Sequence, residues 1–312
     1  MHALPVRTRL TSPSAVPIAQ LQLTVMRRLD GLLAGDHAGL FPGHGTERGE
    51  ARPYIPGDDP RHIDWAVTAR TGDAHVRDTI ADHELELWLV LDTSTSHAFG
   101  TGRSSKHELG WSAAGAFALL AGRGGNRVGA VTSGRDAAFI PARPGRAHVA
   151  VVLSALHSPP VEHDPGNLAG AINKVRLAAK RRGMVVVVSD FHGEPEWERP
   201  LRAISARHDL IAVQVADARE MELTDVGQIA VVDPETGRRR LVDTADASLR
   251  TRYREAATRR QAILNARLAA AGADHLSLRT DRDWVVDLVR FVTSRRTRRQ
   301  AARAGVRPLV RS

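Results

Sequence analysis

The run MVVVV over 184–188 carries no polar residue on either parity of its alternation, and it closes on Ser189 and Asp190. Valine is β-branched and favours strand. A strand apolar on both sides must be covered on both sides, which is the situation of a parallel strand inside an α/β sheet. A second such run, LWLVL over 87–91, closes on Asp92. Two strands of this kind commit the chain to a layered fold with helices above and below a sheet.

The rest of the sequence supplies those helices. Apolar residues recur at helical spacing over 104–123, 146–158, 168–182, 196–208, 246–272 and 284–294. Further strands are expected at 74–79, 127–133, 137–142, 210–217 and 275–280, and a hairpin over 228–243 turning at Glu235–Gly237. Strands alternating with helices predict an α/β fold: an open, mostly parallel sheet with helices on both faces and a small hairpin insertion. Ahead of it, 18–35 is spaced as a helix ending at Gly35, and the Gly- and Pro-rich stretch 41–60 reads as loop. Asp59 before Pro60 predicts an N-cap and first helical residue for a short helix over 61–70. The boundaries are thus an N-terminal extension over 1–83, the α/β domain over 84–294 and a basic tail, expected to be disordered, over 295–312.

Composition removes several chemistries. There is no cysteine, so disulfides, thiol catalysis and cysteine-bound metals are excluded. No apolar run approaches the roughly 18 residues a membrane span needs, and the first residues lack a signal-peptide pattern. The expectation is a soluble, cytoplasmic protein. The net charge is +9, but eight arginines between Arg290 and Arg311 carry almost all of it. Aromatics are only 4% of the chain, which argues against base stacking and so against nucleic acid. The basic tail leaves peripheral contact with a membrane or an acidic partner open. GTGRSSK (100–106) lacks the glycine before its lysine that a phosphate loop needs.

Ligands of such sheets sit outside the carboxyl ends of the strands. Asp92 and Asp190 both lie there. Ser94 and Ser96 follow Asp92 at alternate positions, so three side chains can converge. Oxygen-only ligands of this kind suit Mg²⁺ or Mn²⁺. Ordinary turn chemistry is the competing reading, because Asp and Ser after a strand commonly bond backbone N–H groups.

DTSTS (92–96) matches the D-x-S-x-S signature of the metal-ion-dependent adhesion site (MIDAS) of von Willebrand factor A domains. RPYIPGDDPRHIDWAVTARTGDAHVRD (52–78) resembles the hallmark of a bacterial von Willebrand A-related family, the "domain of unknown function 58". The matching residues are Tyr54, Gly57, Asp58, Asp59, Arg61, Ile63, Asp64, Trp65, Ala69 and Arg70. The resemblance implies a von Willebrand A-like, Rossmann-like fold. It implies a non-enzymatic binding module, an adaptor or co-chaperone beside a MoxR-type AAA+ ATPase. By it Ser94 and Ser96 would hold Mg²⁺ directly, Asp92 and Asp190 directly or through water, and an open position would take a partner's carboxylate. The family's threonine ligand falls on Gly166; Asn167 or Asp164 would have to substitute, or water.

Within the Gly-Asp-Asp segment, Asp58, Asp59, Arg61, Asp64 and Arg70 can pair locally, and Trp65 is expected to anchor the segment by packing. A partner-binding loop is the alternative. Two other functions stay open: a metal-free scaffold binding through its surface and tail, and a metal-dependent phosphoesterase with His192 as base.

Overall fold

The computed structural model describes Leu21 and residues 51–56, 58–60, 63–77, 85–161, 164–232 and 238–303. A six-stranded sheet forms the centre, in the order β10-β7-β6-β3-β4-β5. Its members are β3 (Glu86–Leu91), β4 (Arg127–Thr132), β5 (Phe139–Arg143), β6 (Gly183–Ser189), β7 (Asp209–Ala216) and β10 (Asp274–Arg279). All pairs are parallel except β4 with β5. The α/β fold with a mostly parallel sheet is therefore found.

Period-two alternation divides each central strand between two cores. Leu87, Leu89, Leu91, Met184, Val186 and Val188 face one, packed against α2 (Lys106–Arg123), α3 (Arg146–Leu156) and α8 (Trp284–Arg303). Trp88, Val90, Val185 and Val187 face the other, under α4 (Leu168–Ala178), α5 (Glu198–Ser205) and α7 (Ala247–Ala270). Of the helix expected over 18–35 only Leu21 lies within the described residues. It is helical, buried, and sits where a side chain on Gly115 of α2 would go.

Chain order runs outward from β3 through β4 to β5, then returns to the other side at β6. The direction of winding thus reverses between β3 and β6. A crevice opens at such a switch point, outside the strand ends. Asp92 and Asp190 stand there.

Outside the sheet, β8 (Gln228–Val232) and β9 (Arg239–Asp243) form the antiparallel hairpin, with Glu235–Gly237 outside the described residues. A short helix, α6 (Ala218–Met221), follows β7. The segment ahead of β3 pairs β1 (Ala51–Pro53) with β2 (His75–Arg77) around α1 (Trp65–Thr71).

Two expectations need correction. The short helix does not start at Asp59–Pro60. It starts at Trp65, because Asp64 takes an extended backbone and accepts the N–H groups of Ala66 and Val67. The tail is not disordered from 295. α8 continues to Arg303, and Arg295 is 1% exposed. Its guanidinium lies 2.9 Å from Asp209 and 2.6 Å from Asp274, at the amino ends of β7 and β10. Arg299 also reaches Asp209. A basic run read as solvated is in part an ion-paired lock on the sheet edge. Residues 304–312 lie outside the described part.

Arg295→Ala should lower stability by about 2–4 kcal/mol, somewhat under the roughly 3–5 kcal/mol of a fully buried pair because Asp209 and Asp274 are partly exposed. Arg290→Ala, at a side chain 78% exposed, should stay within about 0.5 kcal/mol of wild type. Urea unfolding midpoints distinguish the two; equal midpoints would remove the lock.

Candidate functional site

Asp92 follows the last residue of β3 and is almost fully buried. A buried carboxylate needs a donor on each oxygen, and the neighbouring strand ends provide them. Ser133, after β4, donates its hydroxyl to Oδ1 at 2.8 Å. Ser189, the last residue of β6, donates to Oδ2 at 2.6 Å. The Ser94 N–H donates to Oδ1 at 3.0 Å, closing an Asx turn. Asp92 thus ties three adjacent strands together at their carboxyl ends.

That turn sets the next hydroxyls. Ser94 caps a 3₁₀ turn over Thr95–Ala98 without a side-chain capping bond, so its hydroxyl remains available. Ser94 Oγ lies 3.1 Å from Ser96 Oγ, and Ser96 Oγ donates to Asp190 Oδ2 at 2.9 Å. Thr95 points away and donates its hydroxyl to the Val161 carbonyl at 2.9 Å and the Asp164 carbonyl at 3.1 Å. His97, fully buried, accepts the Asp190 backbone N–H at Nε2, 3.1 Å.

Asp190 is held as tightly. Its Oδ1 accepts the His192 N–H at 3.0 Å. The next residue, Phe191, has a φ of 54°, unusual for a bulky side chain. Its ring packs edge-on against Trp197 at 5.1 Å, and Ser189 Oγ accepts its N–H at 2.9 Å. Local strain at a strand end is tolerated where packing over-determines it.

Lys106, the first residue of α2, is the group sequence reasoning missed. It is 1% exposed and places Nζ 2.7 Å from Asp190 Oδ2 and 2.5 Å from Glu220 of α6. The signal was present: Ser105 and Glu108 form a capping box, which starts a helix at Lys106 beneath the crevice. Burial opposes the ammonium's charge, but Asp190 and Glu220 together raise its pKa above the ordinary lysine value. Burial would also push the Asp190 carboxyl up. The His192 hydrogen bond and the Lys106 charge outweigh it and hold that carboxyl well below the usual range. His192 Nδ1 lies 3.3 Å from Asp190 Oδ2, and this contact raises the imidazole's pKa against the effect of burial.

The weaker candidates are spoken for. Asn167 caps α4, accepting the Gly170 N–H at 2.7 Å. Asp164 accepts the N–H groups of Arg135 at 2.5 Å and Gly166 at 2.9 Å. Gly166 does stand at the site. A Cβ there would lie 3.1 Å from Ser94 Cβ and 3.4 Å from Asp92 Oδ1. Its φ is +70°, so a threonine here would be strained, by about 1 kcal/mol or more.

The Gly-Asp-Asp segment lies apart in role. Asp58 receives a bidentate Arg52 fork at 2.7 and 2.7 Å and the Ile55 N–H at 2.9 Å, which hold its pKa down to about 2. Asp64 is the α1 cap. Gly57 and Arg61 lie outside the described residues. Trp65 is not a packing anchor: it is 72% exposed, and α1 buries no residue. The described part of the segment is tied by these pairs and presents the indole outward.

Among the described residues, no helix is long and apolar enough to cross a membrane. In sequence, the chain is 48% identical over 285 residues to an uncharacterised protein of Mycobacterium tuberculosis, Rv1480, covering 90% of each. A Mycobacterium avium protein, MAV169, is 44% identical over 161 residues, half of this chain and 94% of that one. In fold, the chain is distantly similar to the conserved hypothetical protein BatB from Bacteroides thetaiotaomicron. That match has 13% identity and a TM-score of 0.44, over 68% of this chain and 99% of the other. It is also distantly similar to the SpRpn10 VWA domain, at 14% identity and a TM-score of 0.39, over 66% and 93%. The family model described as "Protein of unknown function DUF58" matches residues 50–263, and the chain belongs to that family.

Proposed function

We propose that this protein is a non-enzymatic protein-binding module whose working edge is the hydroxyl cluster between β3 and β6, loaded with Mg²⁺ or Mn²⁺. The observation that carries the reading is the spacing of three oxygens. Ser94 Oγ, Ser96 Oγ and Asp190 Oδ2 follow one another at 3.1 and 2.9 Å. Adjacent ligands on an octahedral ion with bonds of about 2.1 Å are about 3 Å apart. Asp92 would support the ion through water, its own oxygens being engaged by Ser133, Ser189 and the Ser94 N–H. Asp164 and Asn167 hold the neighbouring loop, and water takes the position that Gly166 leaves bare. When bound, the ion supplies a position open to a carboxylate from a protein partner. By family resemblance that partner system is a MoxR-type AAA+ ATPase, with this chain as adaptor or co-chaperone in complex assembly.

One observation favours a metal-free scaffold instead. The Lys106 ammonium already lies on Asp190, so part of the charge an ion would neutralise is met from within. The phosphoesterase reading has less behind it. It needs His192 as a base, and Asp190 holds that imidazole toward its protonated form.

Calorimetric titration with Mg²⁺ and Mn²⁺ tests the ion. Wild type should bind, and the Ser94→Ala/Ser96→Ala pair should lose at least about tenfold in affinity, roughly 1.4 kcal/mol. No heat in wild type would leave the scaffold. Partners should co-purify with the wild-type protein and be released by a chelator.

His192 gives a pH test with a fixed sign. Its folded pKa is raised above 6.5, so the stability it contributes is full below that value and lost as pH rises through the folded pKa. The melting-temperature difference between wild type and His192→Ala should be largest below pH 6.5 and fade on the alkaline side. A difference that grows with pH would mean the imidazole is not held by Asp190. Turnover of a phosphate ester that needs Mg²⁺ and disappears in His192→Ala would replace the binding module by an enzyme.

A further inference from the structure

Behind the hydroxyl cluster lies a cavity of about 340 Å³, between the ends of β4 and α4. Its wall includes Ser133, Arg135, Asp164, Gly166, Asn167 and Lys174. The volume is at the small end of ligand pockets, enough for a side chain and its approach. Two of the six are cations, and among the described residues neither Arg135 nor Lys174 has an ion-pair partner. The one acid in the wall, Asp164, spends its carboxylate on the N–H groups of Arg135 and Gly166. The α4 amino terminus adds little, because Asn167 already caps it. The wall thus carries two cations against one carboxylate, and among the described residues neither cation is ion-paired.

The wall is shared with the site. Ser133 lines the cavity and donates to Asp92. Gly166 lines it too, and an atom at its Cβ position would touch both Ser133 Oγ and Ser94 Cβ, each at 3.1 Å. A chain laid across Gly166 has the hydroxyl cluster on one side and the two cations on the other.

We infer that the partner is recognised through an acidic pair: one carboxylate at the Ser94–Ser96 cluster and a second, from a nearby residue of the same peptide, in the cavity between Arg135 and Lys174. This rests on the binding-module reading and deepens it, since a single carboxylate on an ion confers little specificity while a second, at fixed spacing, selects acidic peptides.

The test uses the full chain and two labelled peptides in fluorescence polarisation with Mg²⁺, one of six glutamates and one with a single glutamate among glycine and serine. Wild type should bind the hexaglutamate at least about tenfold more tightly than the single-glutamate peptide. Arg135→Glu/Lys174→Glu should abolish that preference while keeping the wild-type melting temperature and heat of Mg²⁺ binding. Both substituted side chains are exposed, so the fold tolerates them. If the charge-reversed protein keeps the preference, the cavity is not the second subsite, and the ion-dependent reading stands. If the preference survives Ser94→Ala/Ser96→Ala and chelation but falls with charge reversal, the cavity binds acidic peptide alone, and the ion-dependent reading falls. Binding of neither peptide by wild type overturns both.

Discussion

The Asp92 carboxylate is the point on which the crevice depends. A sheet that winds outward from β3 and returns at β6 leaves three parallel strand ends with no covalent link between them at the rim. Asp92 joins them through Ser133, Ser189 and its own turn. Removing it would strand two buried hydroxyls and free the Ser94 N–H, and an unsatisfied buried donor costs about 1–3 kcal/mol. The turn chemistry expected at DTSTS is present, and the proposed ligand chemistry would build on it. The capping bonds of Asp92 fix the backbone that turns Ser94 and Ser96 toward Asp190.

Charge at the rim follows from burial. Asp190 is buried beside Asp92, and two desolvated carboxylates so close would repel. Lys106 offsets part of this from inside the fold. Its ammonium bridges Asp190 and Glu220 and is kept charged by both. The usual preference of a helix amino terminus for acids is overridden here, because two carboxylates within 2.7 Å exceed a dipole contribution of about 0.3–1 kcal/mol. What remains facing the crevice is a pair of neutral hydroxyls beside a compensated carboxylate, a surface that can accept a cation or an acidic ligand without a full uncompensated charge.

Much of the architecture was legible because it rests on local pattern. MVVVV and LWLVL announced strands covered on both sides, and their terminal aspartates announced the crevice. What was not legible arose between distant residues. Lys106 lies 84 positions from the carboxylate it pairs with, and its capping box signals only a helix start. Arg295 sits in a run that composition marks as solvated, yet Asp209 and Asp274 draw it into the fold. Large aromatics are usually buried, which is why the sequence suggests an anchor at Trp65. Asp58 and Asp64 tie the backbone on either side of it through their hydrogen bonds, and the ring itself is left 72% exposed.

Gly166 shows how one position serves two ends. Its backbone lies at φ +70°, a conformation the loop needs so that the Gly166 N–H can meet Asp164 while Asn167 turns to cap α4. Glycine adopts it freely, and a β-branched residue does not. The same absence of a side chain removes a hydroxyl ligand from the rim and leaves open the wall between the rim and the cavity of Arg135 and Lys174. A threonine side chain here would meet Ser133 Oγ and Ser94 Cβ, each at 3.1 Å. Under the proposed reading, glycine leaves an ion at this rim to fewer protein oxygens and places the cavity's two cations beside the same ligand.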